Sequence, residues 1–461
     1  MVKKAWVLER ELRDNAIPVD RRLHDSHWYE SGFTPPSGDD LIALFWESHV
    51  PGSDAPEITY LSMAQSMDNQ GYDVSAAEAL IPECLNLHQA KKKDDLRVLT
   101  ARFLNLLNNA PIIKGHPYHA CNHPHTWEEV RASLPAAQQK ETGAQWKETY
   151  EGQIYQGWLG QLAGGSFGTA IEGYTGEQIA KVYGQVRGYI TQPETTNDDV
   201  VYELFLLDAY ERLGNGITPE AIGLEWLRQL SFGWSAEWVA LRNLNMGIFP
   251  PASGSYLNPY SDWIGAQMRG MVCGMLAPNN PMKAAWLAHL DGQVSHSRNG
   301  IYGEMVAAVL TALAFEMHDV RQLVARAADY VPAGSEYAAK LRFIFDTLHE
   351  SSTQDKALKA LNKHFEQYNW IHAYPNIADD LFALWYGNGD FTETMSLLAQ
   401  GGNDVDCNAG LVGNVLGIMF GVPSAWSEPL GDLLETYITG KEKLSIRALA
   451  QRTARLARLN L

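Results

Sequence analysis

Three glycines that follow one another at intervals of four residues constrain the fold of this chain more than any other local pattern. Gly160, Gly164 and Gly168 fall on the same face of an α-helix, so they predict a helix with one face free of side chains. The backbone of another helix can approach such a face closely. The spacing matches neither GxGxxG nor the Walker pattern, so it favours tight helix packing over a phosphate-binding loop.

Apolar residues recur at helical spacing along most of the chain, and the alternation typical of β-strands is hard to find. Leu204, Leu207 and Leu213 predict an amphipathic helix that Gly214 can terminate. Residues 305–317 are rich in Ala, Val and Leu and predict a buried helix. We therefore expect an all-α fold with a compact multi-helix core.

A polar segment indicates a division of the chain. Residues 138–149 follow Pro135 and separate an N-terminal part from a glycine-rich helical part. This pattern predicts a helical N-terminal extension over residues 1–145 and a second, all-α domain over residues 146–461.

The charge balance restricts the partners of the chain. It carries 36 Lys and Arg against 54 Asp and Glu, a formal net charge of −18. This argues against nucleic-acid binding, which needs a basic surface, and an anionic substrate would need help from a bound cation. The longest apolar run, residues 411–422, is too short to span a membrane, and the N-terminus lacks the apolar core of a signal peptide. We expect a cytoplasmic protein with neither a nucleic-acid nor a membrane partner.

Two acidic segments contain the residues best suited to bind a metal ion. Asp404 and Asp406 follow the turn Gly401-Gly402 and precede small residues that predict a closely packed helix. Carboxylates at a helix N-terminus are favoured by the helix dipole, and their hard oxygen atoms suit Mg²⁺. The second segment, Asn197-Asp198-Asp199, opens another predicted helix, where it is either a helix cap or a metal site.

Taken together, the two segments supply four carboxylates at two helix N-termini. Two divalent cations could share such a set and orient a substrate and a water molecule between them. A zinc site is conceivable in residues 111–127, but the spacing of its histidines and its cysteine matches no established pattern, which favours a rigid loop. This histidine-rich loop contains His116, His119, Cys121, His123 and His125.

These motifs, in this order, resemble those of the ADP-ribosylglycohydrolase family, in its larger bacterial form with an N-terminal extension. Residues 164–172 are similar to the family's glycine-rich opening motif, which ends in a glutamate. Asn197-Asp198-Asp199 resembles the paired-aspartate motif, and residues 401–409 resemble the closing GxDxD motif with its following Asn-Ala. The resemblance extends over roughly residues 150–461.

The resemblance implies an all-α core that holds two Mg²⁺ ions, with Mn²⁺ as the alternative, at the bottom of a cleft. It implies hydrolysis of an N- or O-glycosidic bond in an ADP-ribosylated protein or an ADP-ribose derivative. The metal ligands carried over are Asn197, Asp198, Asp199, Asp404 and Asp406. The catalytic candidates are Glu172 and Asp404, and the substrate-binding candidates are Gly168, His296, Gly401 and Gly402. For His296 a buried, hydrogen-bonded role is the alternative.

Four positions depart from the commonest family pattern. Asn197 and Val200 flank the aspartates where threonines are usual, so the ligand pair is either Asp198 and Asp199 or Asn197 and Asp198. Cys407 stands where many relatives have threonine, and a soft thiol is a poor ligand for Mg²⁺. Gly165 replaces an aspartate of smaller relatives. Because the carboxylates remain, these changes predict a divergent substrate rather than a lost centre.

Three other functions remain open. A ribosyl hydrolase acting on a small nucleoside-like molecule fits the same motifs. A non-catalytic binder of ADP-ribose on this scaffold is disfavoured, since the four aspartates and Glu172 are retained. A two-metal phosphohydrolase is the least favoured, because no histidine-rich metal motif lies near the carboxylates.

Overall fold

Helices account for nearly all regular structure in the computed structural model, which describes residues 14–15, 39–135, 138 and 145–460. The all-α prediction is therefore confirmed. In the described part of the chain, the strands form two short antiparallel ribbons. One pairs β1 (Ser48–His49) with β2 (Pro56–Glu57), and the other pairs β3 (Leu434–Glu435) with β4 (Lys443–Leu444).

Helices occur throughout the described chain. The first group is α1 (Asp39–Trp46), α2 (Thr59–Asn69), α3 (Ser75–Glu78), α4 (Ile81–Gln89), α5 (Lys93–Asn108), α6 (Pro117–Ala120) and α7 (Trp127–Ser133). The second is α8 (Tyr150–Gly168), α9 (Gly176–Tyr183), α10 (Asp198–Leu213), α11 (Pro219–Gln229), α12 (Ser235–Asn245), α13 (Ala252–Ser255), α14 (Met271–Met275), α15 (Pro281–Gly292) and α16 (Asn299–Ala314). The third is α17 (Val320–Ala327), α18 (Glu336–Glu350), α19 (Gln354–Phe365), α20 (Ala373–Gly387), α21 (Phe391–Gly401), α22 (Val405–Phe420), α23 (Ser424–Ser427) and α24 (Ile446–Asn460).

Short polar side chains begin many of these helices, because their oxygen atoms accept hydrogen bonds from the free N–H groups of the first turn. Such caps are Thr126, Thr175, Asn197, Thr218, Asp319, Ser335, Thr353 and Asp390. Single 3₁₀ turns connect or extend helices at Gly214–Gly216, Gln267–Arg269, Ala328–Tyr330 and Glu428–Leu430.

The glycine face of α8 packs directly against the backbone of α22, which confirms the predicted tight packing. A Cβ atom at Gly160 would overlap the carbonyl group of Gly413, and one at Gly164 would overlap that of Ala409. Gly168 faces the backbone of Asp406, at the first turn of α22. The two helices therefore lie closer together than side chains would allow, and this contact fixes where α22 begins.

The helix predicted across residues 305–317 is also confirmed, although it begins earlier, at Asn299, and ends at Ala314. Every residue of this helix, α16, is buried. Its surroundings include α14 and α15 on one side and α22 on another. Burial on all faces explains why its sequence is apolar or small all round rather than amphipathic.

The helices before residue 135 pack onto loops of the core. In α2, Ser66 Oγ donates a hydrogen bond to Pro259 O at 2.7 Å. Tyr118 OH, in α6, donates to Asp262 Oδ2 at 2.8 Å. The described residues from Leu44 onwards thus form one compact unit. Most of the predicted linker at residues 135–150, namely residues 136, 137 and 139–144, lies outside the described residues.

The histidine-rich loop uses its imidazole rings for hydrogen bonds to the backbone. His116 Nδ1 accepts from Tyr118 N at 3.3 Å, and His123 Nε2 lies 3.1 Å from Tyr118 O. These contacts agree with a rigid loop. Within the described residues, no helix combines the length and apolar character needed to cross a bilayer.

Candidate functional site

Three chain segments bring the predicted carboxylates to the wall of one cavity of about 430 Å³. The loop after α8 contributes Glu172, the N-terminus of α10 contributes Asp198, and the N-terminus of α22 contributes Asp404 and Asp406. Asp404 occupies the N-cap position of α22, so the prediction that the closing acidic pair opens a helix is confirmed. Helix N-termini favour nearby negative charge, which partly offsets the repulsion between these carboxylates.

The carboxylates around Asp406 are close enough to share a ligand. Oxygen atoms of Asp404 and Asp406 and the sulfur atom of Cys407 all lie within 4.8 Å of one another. Asn197 Nδ2 donates to Asp406 Oδ2 at 3.2 Å, and the other oxygen of Asp406 accepts from Cys407 N at 2.9 Å. We refer to Glu172, Asp198, Asp404 and Asp406 as the carboxylate cluster.

Asp199 takes a different position from Asp198, although the two are consecutive. It is buried and does not line the main cavity, and the Cys407 thiol donates to its Oδ1 at 3.4 Å. Its backbone N–H donates to Asn197 Oδ1 at 2.7 Å, so Asn197 serves as the helix cap. The structure therefore brings Asn197 and Asp198 to the cavity wall and leaves Asp199 behind Cys407.

The cluster has the electrostatics of a cation site. Burial, followed by the charges of Asp406 and Asp404, raises the pKa of Glu172 well above its usual range. Burial and the Asp406 charge raise the pKa of Asp198 to about 6. Among the described residues, no lysine, arginine or histidine lines the cavity to balance these groups.

The geometry of Asp404 tests whether a metal fits. Its Oδ1 atom is buried and has no hydrogen-bond partner in the protein, a costly arrangement for a carboxylate oxygen. Hard oxygen atoms in this number are the ligands that Mg²⁺ and Mn²⁺ take in proteins. The residues present therefore fit a hard divalent cation.

Asn376 in α20 supports the cluster from behind. Its Oδ1 accepts from Asp404 N at 3.2 Å and from Asn408 Nδ2 at 2.9 Å. Its Nδ2 donates to the carbonyl oxygens of Trp370 and His372. Asn376 thereby fixes the first turn of α22 relative to α20. In the sequence, Asn376 is recognisable only as part of the proline-containing turn at residues 372–376.

The predicted substrate-binding glycines do not line the cavity. Gly168 and Gly401 are sites of close packing, against the backbone of Asp406 and the carboxylate of Asp379 respectively. Gly402 adopts φ +79°, which ends α21 and turns the chain towards Asp404. These glycines shape the backbone that carries the cluster.

His296 is also absent from the cavity wall. It is fully buried, its Nδ1 lies 2.7 Å from Ser295 Oγ, and its Nε2 lies 3.9 Å from Glu237 Oε1 without a hydrogen bond. Burial lowers its pKa well below the usual value. The buried role, rather than a ligand contact, agrees with this position.

The sequence analysis missed several cavity residues. Glu237, at the start of α12, lines the wall and accepts from the buried Arg269 Nη1 at 3.1 Å. Burial raises the pKa of Glu237 to about 7, against the opposing effect of Arg269. Arg269 is held in turn by Asp291 at 2.5 Å and by Ser295 at 2.9 Å. No local pattern marks Glu237, because its partner lies in a different segment.

Glu57 and an aromatic group complete the wall. Glu57 belongs to β2, and the aromatic side chains are Tyr202, Phe232, Trp234, Trp370 and Tyr437. By contrast, Tyr260 and Trp263 are both fully buried and belong to the core.

Comparisons with known proteins place the chain in a family. An uncharacterized protein of Archaeoglobus fulgidus is 25% identical over 315 residues, which cover 63% of this chain and 95% of that protein. A solved structure described as an ADP-ribosylglycohydrolase-related protein complex covers 68% of this chain and 99% of that chain, with 20% identity and a TM-score of 0.49. The model of the ADP-ribosylglycohydrolase family matches residues 146–460. Because that match spans well over half of the 461 residues of this chain, the chain belongs to the ADP-ribosylglycohydrolase family.

Proposed function

We propose that this protein is a metal-dependent glycosidase that cleaves the bond between the anomeric carbon of a ribosyl unit and a nitrogen or oxygen atom of its partner. Membership of a glycohydrolase family supports the reaction class. The observation that carries the proposal is the carboxylate cluster, with its buried and unpartnered Asp404 Oδ1, at the wall of a cavity of about 430 Å³.

The proposed metal ligands are Asp198, Asp404 and Asp406, with Asn197 and Asp199 as supporting candidates that hold Asp406 and Cys407 in place. We propose Mg²⁺, as two ions, with Mn²⁺ as the alternative. Such cations, when bound, would hold sugar hydroxyl groups and make a water molecule more acidic.

The chain's own residues supply the remaining steps. Glu172 lines the same cavity and is the proposed acceptor of the proton that the attacking water loses. The other carboxylates of the cluster would stabilise the positive charge that develops at the anomeric carbon as the bond to the leaving group breaks. The aromatic wall would exclude bulk water and hold the leaving group against the sugar.

Two substrate classes are candidates. The family favours an ADP-ribosylated protein or an ADP-ribose derivative. A phosphate-free riboside is the second candidate, and it is favoured by the lack of basic side chains among the described residues of the cavity wall. We also propose a cytoplasmic location, since all four cysteines are free thiols, and no nucleic-acid partner, given the net charge of −18.

The test is a turnover assay of the purified protein with Mg²⁺, read by mass spectrometry. Its substrates are ADP-ribosyl-arginine peptide, ADP-ribosyl-serine peptide, O-acetyl-ADP-ribose and ribonucleosides. Asp404→Asn should abolish release of the sugar product and weaken Mg²⁺ binding at least tenfold, whereas Asp346→Asn, on the exposed face of α18, should change neither. Tight Mg²⁺ binding without turnover of any compound would contradict the glycosidase and favour a binder.

A further inference from the structure

Part of the cavity wall comes from outside the segment that matches the family. The N-terminal ribbon, residues 48–57, consists of β1, β2 and the turn between them. It contributes Val50, Pro51 and Glu57 to the wall, whereas the family match begins at residue 146. Because the family motifs fix the cluster, residues from another segment are where selectivity for the leaving group can arise.

The ribbon is fixed to the segment that carries Glu172. Val50 N donates to Ala55 O at 2.9 Å within the ribbon turn. Gly52 lies against Thr169, and Tyr174 OH donates to Ser53 O at 3.2 Å. Thr169 and Glu172 line the same cavity. The ribbon therefore holds Glu57 in a defined position relative to the cluster.

Among the described residues, Glu57 is the wall carboxylate that lacks a positively charged partner. Glu237 pairs with Arg269, and two divalent cations would balance the four carboxylates of the cluster. Glu57 accepts from Ser48 Oγ at 3.2 Å and forms no ion pair with a basic side chain of the described chain. Its half-buried position raises its pKa, and a positively charged group beside it would lower that pKa and stabilise the carboxylate.

Aromatic side chains share this wall with Glu57. Phe232 and Tyr437 are 37% and 52% exposed, so their rings are open to contact with a ligand in the cavity. Trp370 adjoins the ribbon, since Gly173 lies between its ring and Ala55. Aromatic faces attract flat ligands and cations.

We propose that the cavity takes a phosphate-free riboside whose flat leaving group carries a positive charge, and that Glu57 is the residue that recognises this charge. The proposal rests on the proposed function and names the substrate class of the same site. A diphosphate would add negative charge to a wall that has no basic side chain among its described residues.

The reaction balances without a further reactant. The water oxygen bonds to the anomeric carbon, and the carbon–nitrogen bond breaks with its electron pair staying on nitrogen. The leaving group, a cation while attached, departs as a neutral base and needs no proton. The proton lost by water passes to Glu172 and then to solvent.

The probes are nicotinamide riboside (cationic), inosine (neutral), nicotinamide mononucleotide (phosphorylated) and ADP-ribosyl-arginine peptide, with the small ribosides tested as both anomers. Dissociation constants are measured by calorimetry with Mg²⁺ in full-length Glu172→Gln, which blocks turnover. Glu57→Gln is added to remove the charge and keep the shape. Asp54→Asn, an exposed residue of the same ribbon that does not line the cavity, is the matched control.

We expect nicotinamide riboside to bind at least tenfold more tightly than the other three probes. Glu57→Gln should weaken its binding about tenfold and change inosine binding less than twofold, and Asp54→Asn should change neither. Any one of three results would overturn the proposal about Glu57 and leave the proposed function untouched. These are equal binding of all probes, tighter binding of a phosphorylated probe, and an equal effect of Glu57→Gln on the binding of all probes. Failure of the wild-type enzyme to cleave any probe would instead refute the proposed function and the reaction above.

Discussion

Replacing Gly164 with alanine should destabilise the protein, although alanine is the better helix former. A Cβ atom at this position would overlap the carbonyl group of Ala409 and lie 2.8 Å from Gly410 N, 0.6 Å inside the 3.4 Å of ordinary contact. Backbone atoms cannot rotate away as a flexible side chain can. Therefore α8 and α22 would have to separate along their contact.

The size of the effect follows from two opposing contributions. Alanine gains about 1 kcal/mol of helix propensity over glycine. Overpacking a closely packed contact costs about 1–3 kcal/mol, and a clash with backbone should lie at the upper end or beyond. We expect a net loss of about 2 kcal/mol in the free energy of unfolding. Gly152→Ala, in the exposed first turn of α8 with nothing within 4 Å, should instead gain up to about 1 kcal/mol.

Equilibrium urea denaturation followed by tryptophan fluorescence measures both variants. Because α22 begins with Asp404 and Asp406, Gly164→Ala should also weaken Mg²⁺ binding, whereas Gly152→Ala should not. If Gly164→Ala unfolds at the same urea concentration as Gly152→Ala, the glycine face does not set the distance between the helices, and the reasoning is wrong.

Three further predictions concern the cluster. Because the pKa of Asp198 is raised to about 6, the metal-free folded state binds protons more tightly than the unfolded state. The free energy of unfolding of the metal-free protein should therefore fall as pH rises from 4 to 7, by up to about 3 kcal/mol for this group. Added Mg²⁺ should reverse most of the loss in thermal melts at pH 7, and Asp198→Asn should flatten the pH profile. Asn376→Ala should lower stability by about 1–3 kcal/mol in urea and weaken Mg²⁺ binding, because the N–H of Asp404 loses its acceptor. Cys407→Ser should leave Mg²⁺ affinity within about threefold by calorimetry but reduce affinity for the softer Cd²⁺; a large change in Mg²⁺ affinity in either direction would mean that residue 407 contacts the ion.

Features that depend on neighbouring residues were predictable from the sequence. The glycine face of α8 follows from spacing along one helix, and the helix starts at Asn197 and Asp404 follow from residue type next to a helical pattern. The sequence did not predict which of Asp198 and Asp199 faces the cavity. Consecutive helical residues point about 100° apart, so only one of them can face the cavity, and which one depends on how α10 is rotated against α22.

The cavity wall could not be predicted because its members are far apart in the chain. Glu57, Glu237 and Tyr437 come from three segments, and each looks like an ordinary surface residue in its own local pattern. Only packing brings them together. The predicted glycines Gly401 and Gly402 show the reverse error, since residues close to the cluster in sequence shape its backbone without lining the cavity.

The packing of α8 on α22 and the acidity of the cluster depend on each other. Four carboxylates that repel one another would move apart in a loosely packed scaffold, and the cation site would be lost before any ion could bind. The glycine face prevents this, because Gly168 holds the backbone of Asp406 beside the loop that carries Glu172. The rigid packing of α8 on α22 therefore keeps the carboxylates close together despite their repulsion. A cation that relieves this repulsion gains affinity without rearranging the protein. This explains why a helix contact without room for side chains lies next to a cluster of mutually repelling carboxylates.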